Sequence, residues 1–494
     1  MRLSQLLAGC QYTLMKGTID TNVEHLCYHT SNVEQNSVFV CIDGAVVDGN
    51  EFIPEAIRRG AIAIVTTKID DWAEYENITF VHVEDSRKAL AQLSANYFEH
   101  PSKQITTIGI TGTKGKTTTA YFLRKILELA GFKTALIGTI ETLIGDEASP
   151  SINTTPESYM VQYTLRKAVD KGCQFVIMEV SSQGLKLHRV DGIIFDYAVF
   201  MNLGHDHIGE NEHKDFDEYR ECKGKLFEQC KTGIFNVDDE NAAYMMEHCI
   251  GDIETFAIRH DAKHRAHDCK LYRNQQLLGS TFELTGWYDT HITLGVPGIF
   301  NVYNALAAVA VAAHFGVKES VLNFALSNVK VKGRVEIVSI PNTEYTLIVD
   351  YAHNAMSLES VLNTVKEYEH NCLFCMFGCG GNRDRNRRFE MGEISAKLSD
   401  VSVITSDNPR FEEPMAIIED IVTGIKNQEC TYVIEADRKE AIRYCMKNAQ
   451  ANDIIVLAGK GHEDYQEIQG KKYPMDERTL IWQICKEEGF VNIS

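Results

Sequence analysis

The sequence predicts an α/β protein of about three domains, with a phosphate-binding loop in the central one. Three observations lead there. The chain has 494 residues. Short apolar, β-branched runs alternate with stretches of helical spacing through the second and third portions, the pattern of mostly parallel sheets covered by helices. At one junction, a strand-like run enters a glycine-punctuated loop, Gly115-Lys116-Thr117, that opens a helix.

Residues 1–103 form the first unit. Residues 37–42 and 61–65 read as strands, with a helical stretch from Phe52 to Arg59 between them and a turn at Asp48-Gly49. No acid–base cluster stands out. Glu99-His100-Pro101-Ser102 reads as a linker, because Pro101 closes the helix before it.

Residues 104–330 form the second unit, a P-loop domain. The run from Ile105 to Ile110 reads as a buried strand, and residues 119–130 have helical spacing with Gly131 as a stop. The loop between them holds Gly112, Thr113, Lys114, Gly115, Lys116, Thr117 and Thr118. Backbone N–H groups at a helix N-terminus face phosphates, Lys116 adds a point charge, and the Thr117 hydroxyl suits Mg²⁺. The first glycine of the usual G-x-x-x-x-G-K-[ST] pattern is absent: position 110 is Ile, and the nearest glycines are Gly109 and Gly112. Further strands are expected at 134–138, 175–180, 197–201 and 233–237, with weaker alternating strands over 251–295. Ligands gather at the carboxyl ends of such strands, where Glu179, Asp206 and His207 stand. Asn301 and Asn304 are three apart at a helix start, so they share a face.

Residues 331–494 form the third unit and repeat the rhythm, with strands expected at 345–349, 373–377, 401–405, 431–434 and 454–457. Each ends at a polar or glycine-rich segment. Asp350 and His353 follow the first, the glycines 378, 380 and 381 with Arg383 follow the second, and Asp407-Asn408-Pro409-Arg410 follows the third. Asp437-Arg438 and Gly459 to Glu463 follow the last two. These ends predict a second ligand-binding rim.

Hydrophobic content of 44% and charged content of 24% are ordinary for a globular protein. No apolar run approaches the ~18 residues of a membrane span, and the N-terminus lacks a signal-peptide pattern. Net charge is −20 with no basic cluster, which argues against a nucleic-acid partner. The 14 cysteines have no framework spacing and read as reduced thiols of a cytoplasmic protein. Cys372, Cys375 and Cys379 invite a metal reading, but in a strand Cys372 and Cys375 face opposite sides. A structural role is expected for them.

In order along the chain, Thr111–Thr118, Asn153-Thr154-Thr155-Pro156, Met178 to Ser182, Asp206-His207, Tyr219…Lys223, Gly298…Asn301…Asn304, Gly333-Arg334, Asp350…His353, the glycine turn at 378–381, Asp407–Arg410 and Gly459…Glu463 resemble the motifs of the Mur ligase family. The resemblance implies three domains: a UDP-sugar domain, a central P-loop ATPase domain and a C-terminal Rossmann-like domain. It implies amide formation in peptidoglycan precursor synthesis, with ATP and Mg²⁺ as cofactors and an acyl-phosphate intermediate. The implied substrates are UDP-N-acetylmuramoyl-L-Ala-D-Glu and meso-diaminopimelate, and the expected state is a monomer. By the same resemblance Glu179, His207 and Lys223 (as a carbamate), with Thr117, form the metal set. Asn301, Asn304, Arg334, Asp350 and His353 join the phosphate loop at the nucleotide. Thr30, Ser31, Thr154, Thr155, Ser181, Arg189 and Lys223 face the sugar-peptide. Arg383, Asp407, Asn408, Pro409, Arg410, Gly459 and Glu463 form the amino-acid pocket. Arg410 and Arg383 suit two-point bridges to carboxylates, and diaminopimelate carries a second carboxylate that lysine lacks.

Some positions depart from the family pattern. The usual Asp-Ser-Arg is His29-Thr30-Ser31 here, the following Pro-Gly is Gln35-Asn36, and a glutamine near Arg189 is Leu187. All lie on the UDP-muramoyl side. Other readings stay open at this stage: a related ligase with another acceptor or with L-lysine, folylpolyglutamate synthase, or a non-catalytic nucleotide- or muropeptide-binding paralogue.

Overall fold

The computed structural model describes residues 1–44, 47–206, 208–209, 212–426, 428 and 430–490. By compactness the chain divides into two units, Met1–Lys263 with Ala307–Val317, and His264–Leu306 with Lys318–Ser494.

The first unit holds two sheets. The N-terminal one runs, in spatial order, Thr13–Lys16, Thr79–His82, Ala61–Thr66, Ser37–Val40 and His25–Cys27. All neighbours are parallel except the Thr13–Lys16 pair. The two strands expected from sequence are central and mostly buried. The missed edge strand Thr13–Lys16 is short and exposed, so it has no apolar run to betray it. Helix Ser86–Tyr97 starts on Asp85, whose carboxylate accepts from the N–H groups of Arg87 and Lys88. It covers the sheet with Leu90 and Leu93 against Val38, Val40 and Val81. Glu99 and His100 then take left-handed φ values of 61° and 49°, and a 3₁₀ turn at Pro101–Lys103 follows.

The second sheet of this unit has six parallel strands in the order Asp252–Ala257, Cys230–Asn236, Phe195–Phe200, Thr106–Thr111, Phe175–Glu179 and Thr134–Ile137. An antiparallel hairpin, Glu141–Ile144 and Glu147–Pro150, extends the last edge. Strand order reverses beside Thr106–Thr111, a switch point where α/β sheets open a crevice at the carboxyl ends of their strands. Gly109 lies under Phe195 and Leu226, each about 3.1 Å from where a Cβ would stand.

The second unit contains the antiparallel strands His264–Asn274, Leu277–Thr285 and Thr290–Leu294. It also holds a sheet ordered Glu336–Ile337, Thr346–Asp350, Ile454–Ala458, Leu373–Phe377, Val401–Ile404 and Thr431–Ile434. The last five are parallel. Alternate side chains feed two cores: Ile348, Cys375 and Phe377 on one face, Val349, Phe374 and Met376 on the other. Helices therefore cover both faces, the doubly wound arrangement expected of a Rossmann-like domain. Cys375 and Cys379 belong to the first core and Cys372 packs on the second, so the three thiols do not converge. Burial pushes the thiols of Cys375 and Cys379 up to about 12. No helix among the described residues is long and apolar enough to cross a membrane.

Phe195 is fully buried, so Phe195→Ala is expected to cost about 3–5 kcal/mol. Urea unfolding checks this; a loss below about 1 kcal/mol would contradict the core placement.

Candidate active site

The phosphate loop follows strand Thr106–Thr111. Gly112 and Gly115 take φ values of 153° and 90°, and a Cβ at Gly112 would run into Met201 and Asn202. Asn202 pins the loop: its carbonyl accepts from Thr113 N at 2.9 Å, and its Oδ1 accepts from Lys114 N at 2.9 Å. Helix Lys116–Leu129 has no side-chain cap, so its first N–H groups keep the polarity that binds anions. Thr118 is buried behind the loop.

Two lysines donate to one carbonyl. Lys116 Nζ lies 2.7 Å and Lys223 Nζ 3.0 Å from Gly112 O. Lys223 is buried, with its ammonium 4.6 Å from the centre of the Tyr219 ring. Its pKa is held well below the ordinary lysine value, first by burial and then by the charge of Lys116. Tyr219 reaches back to the loop, its hydroxyl 3.0 Å from Thr113 Oγ1.

Glu179 closes the strand Phe175–Glu179 and is fully buried. Its carboxylate accepts from Thr117 Oγ1 at 2.8 Å, Thr139 N at 2.8 Å and Thr139 Oγ1 at 2.9 Å. Gly138 has no room for a Cβ, which would collide with this carboxylate. Thr154 Oγ1 is 3.0 Å from Thr139 Oγ1, and Thr155 Oγ1 donates to Glu179 O at 2.8 Å. Ser181 N donates to Thr155 Oγ1 at 3.0 Å, and Ser181 caps the helix Ser182–Lys186. The structure thus gathers Lys116, Thr117, Thr154, Thr155, Glu179, Ser181 and Lys223 around the phosphate loop. The Thr117 hydroxyl and the Glu179 carboxylate are oxygen donors of the kind a hard cation takes. His207 lies outside the described residues. Arg189 Nη1 donates to Thr155 O at 3.0 Å. Thr30 and Ser31 sit in the short 3₁₀ helix Thr30–Asn32, capped by the His29 ring, with Ser31 Oγ 2.8 Å from His29 Nδ1.

Asn301 and Asn304 lie in the first turn of helix Phe300–Ala312 and are buried. Asn301 Nδ2 donates to Pro297 O, and Asn304 Nδ2 to Asn301 Oδ1, both at 2.7 Å. One face therefore carries both amides, as the spacing predicts.

In the second unit, Asp350 is buried at a strand end and accepts from Val335 N at 2.7 Å and Ala352 N at 2.8 Å. Burial raises its pKa. The Arg334 guanidinium lies 5.1 Å from the centre of the Tyr351 ring, and His353 is 4.5 Å from the same ring. His462 packs on Tyr351 at 4.6 Å. Gly333 has no room for a Cβ beside the backbone of Gly461 and His462. This brings Arg334, Asp350 and His353 to the Gly459–Glu463 loop.

The rim beside it is as compact. Asn408 Nδ2 donates to Glu463 Oε2 at 3.1 Å. Lys460 is fully buried, and its Nζ reaches Asn408 Oδ1 at 2.6 Å, Tyr465 O at 2.9 Å, Glu463 Oε2 at 3.1 Å and Asp407 Oδ1 at 3.2 Å. Gly459 faces Asp407, and Gly381 abuts the Pro409 carbonyl. Arg410 takes a left-handed φ of 52°. Its Nη1 donates to Gly381 O at 2.7 Å and its Nε to Glu467 Oε2 at 3.1 Å. Arg383 is exposed on the glycine-rich loop.

Sequence reasoning missed Thr139, Lys460, His462 and Glu467. Lys460 and His462 stand inside the motif Gly459–Glu463. Thr139 and Glu467 carried no local signal, because only the fold brings them to Glu179 and Arg410.

A phosphate loop at the switch point of a parallel sheet, with a separate doubly wound sheet whose strand ends form a polar rim, defines a P-loop nucleotide-dependent enzyme with an appended Rossmann-like domain. Family models match three stretches: the Mur ligase family, catalytic domain, at residues 22–98; the Mur ligase middle domain at 110–312; and the Mur ligase, glutamate ligase domain, at 333–461. A UDP-N-acetylmuramoyl-L-alanyl-D-glutamate--2,6-diaminopimelate ligase from Caldanaerobacter subterraneus subsp. tengcongensis is 41% identical over 489 residues, 99% of each chain. The relative of that name from Clostridium perfringens is 41% identical, covering 98% of this chain and 100% of its own. A solved structure of a ligase of that name aligns with a TM-score of 0.72 at 26% identity over 99% of both chains. A UDP-N-acetylmuramoylalanyl-D-glutamyl-2,6-diaminopimelate--D-alanyl-D-alanyl ligase from Acinetobacter baumannii shares the fold at TM-score 0.61 and 19% identity, covering 98% of each chain. The chain belongs to the Mur ligase family and has its three-domain architecture.

Burial and then the Arg334 charge lower the His462 pKa from 6.5 to about 4. The unfolded chain therefore takes up this proton first as pH falls. The His462 contribution to stability is complete above pH 6.5 and is lost as pH falls from there to about 4. Denaturant melts across that window should show a weaker pH dependence in His462→Asn than in the parent; identical slopes would contradict the assignment.

Proposed function

We propose that this chain joins meso-diaminopimelate to UDP-N-acetylmuramoyl-L-alanyl-D-glutamate, forming an amide at the expense of ATP, as a cytoplasmic monomer. The observation that carries the reading is the convergence of Asp407–Arg410 with Gly459–Glu463, on a chain that matches ligases of this name over nearly its whole length.

In this reading the acceptor carboxylate takes the γ-phosphoryl group of ATP, releasing ADP. The diaminopimelate amine then attacks the acyl phosphate, and the amide forms as phosphate leaves. Carboxylate attack on a phosphoryl group brings two anions together, so the site must supply positive charge. Lys116 and the N–H groups of residues 112–118 hold the β- and γ-phosphates. Thr117, Glu179, His207 and Lys223 as a carbamate would hold Mg²⁺, which offsets the charge of the reacting anions when bound. An amine kept neutral is the form that adds CO₂, losing a proton to give the carbamate, and the lowered pKa of Lys223 supports that form. Asn301, Asn304, Arg334, Asp350 and His353 contact the nucleotide. Thr30, Ser31, Thr154, Thr155, Ser181 and Arg189 contact the acceptor. Arg410 and Arg383 take a carboxylate of diaminopimelate, Gly459 and Glu463 hold its distal amino-acid centre, and Asp407, Asn408 and Pro409 complete the pocket.

ADP release should require both UDP-muramoyl-dipeptide and meso-diaminopimelate, with lysine and ornithine poor substitutes when assayed side by side. Equal use of lysine would overturn the amino-acid assignment. Absence of turnover with any amine, while ATP still binds, would overturn the acceptor. Arg410→Ala should raise KM for diaminopimelate about 10- to 100-fold, the size of a lost charge-assisted contact, with KM for ATP unchanged. Equal losses for both substrates would reduce Arg410 to a support of its own turn.

A further inference from the structure

Glu157 follows Pro156 and is the N-cap residue of helix Ser158–Asp170, yet its side chain makes no capping hydrogen bond. Ser, Thr, Asp and Asn side chains at this position usually accept from the first turn of their own helix; Glu157 does not. Here the carboxylate turns instead to two arginines from distant parts of the chain. Arg87 Nη1 donates to both its oxygens, at 2.9 and 2.8 Å. Arg189 Nε donates to Oε1 at 3.0 Å, and Arg189 Nη2 lies 2.8 Å from the same oxygen. The three side chains are 14–18% exposed, so the pairs are shielded from much of the screening that weakens surface ion pairs.

This arrangement orients Arg189. A guanidinium has five N–H groups in a planar fork. Glu157 accepts the one on Nε, Thr155 O accepts one on Nη1, and Nη2 lies beside the Glu157 carboxylate as an ion pair at 2.8 Å. Among the described residues no further protein acceptor is hydrogen-bonded to the two terminal nitrogens. A fork fixed on one side and unspent on the other is arranged for two-point binding of an anion. The cluster of two arginines and one carboxylate keeps a net positive charge.

The same carboxylate reaches into the N-terminal segment. Arg87 lies in the first turn of helix Ser86–Tyr97. Tyr28, immediately before the departed His29-Thr30-Ser31 segment, packs on Tyr159 at 5.8 Å. Burial and then the Glu157 charge raise the Tyr28 pKa, with Arg189 acting the other way, so its phenol lies in the field of this cluster.

We propose that Glu157 is a positioning residue for the acceptor: it holds the Arg189 guanidinium so that N–H groups of its terminal nitrogens are left to meet an anionic group of the nucleotide-sugar peptide, and it ties that orientation to the N-terminal segment through Arg87. The inference rests on the reading that Arg189 contacts the acceptor. Residues Glu157 and Arg87 touch no reacting atom and act through Arg189.

The test is steady-state kinetics with ATP, meso-diaminopimelate and UDP-muramoyl-dipeptide varied separately, on Glu157→Ala, Glu157→Gln, Arg189→Ala and the double variant Glu157→Ala/Arg189→Ala. Glu157→Ala should raise KM for the acceptor about tenfold, the effect of a contact of about 1.4 kcal/mol, and leave the other two KM values within about twofold. Glu157→Gln keeps a hydrogen-bond acceptor of the same shape without its charge, so it should fold and fall between the parent and Glu157→Ala. The double variant should bind the acceptor no worse than Arg189→Ala alone, since Glu157 acts only through that arginine. An unchanged acceptor KM in Glu157→Ala, with Arg189→Ala impaired, overturns the role of Glu157 and leaves the Arg189 reading standing. An unchanged acceptor KM in Arg189→Ala overturns both. Parallel rises in all three KM values with a lowered Tm would make Glu157 structural and overturn the proposal, as would additive losses in the double variant.

Discussion

The site depends on one buried carboxylate. Glu179 ends a central strand with no access to solvent, where a buried polar side chain needs hydrogen-bond partners. Its partners come from two other elements: Thr117 from the first turn of the phosphate-loop helix, and Thr139 from the turn after strand Thr134–Ile137. Its own carbonyl accepts from Thr155. One residue therefore sets the helix that meets phosphate and the turn that lacks a side chain at Gly138 through its carboxylate, and Thr155 through its backbone carbonyl. Removing the carboxylate would leave Thr117 and Thr139 without their common partner.

Positive charge is concentrated against the chain's overall −20. Lys116 and Lys223 share one carbonyl oxygen, and burial, together with the charge of Lys116, lowers the Lys223 pKa. Two arginines proposed to meet substrates are each held by a glutamate, Arg189 by Glu157 and Arg410 by Glu467. The two glutamates act by the same physics. A long, rotamer-rich cation is fixed on one side, so less conformational entropy is lost when an anion meets the other.

Much of this was legible in the sequence, for a local reason. The phosphate loop, the strand ends and the motifs at 153–156, 407–410 and 459–463 are short stretches whose residue types act on their own backbone. Most central strands of the α/β sheets were visible because they are buried on both faces and read as apolar runs, whereas the interior strand Thr79–His82 of the N-terminal sheet was not picked out. Thr13–Lys16 and the two-residue strand Glu336–Ile337 were not visible, since a short or exposed edge carries no such run. The expectation that Cys372 and Cys375 diverge was met because strand alternation is a backbone property.

The sequence by itself determined the kind of chemistry: a phosphate loop, a carboxylate at a strand end beside it, and an arginine-bearing rim in a second α/β sheet. Only the tertiary structure decided which groups are partners. Thr117 meets Glu179 across 62 residues, Arg189 meets Glu157 across 32, and Arg410 meets Glu467 across 57. Such pairs leave no periodicity or spacing in the chain. They are set by strand order and by where each turn ends, and these follow from packing the whole sheet rather than from any local stretch.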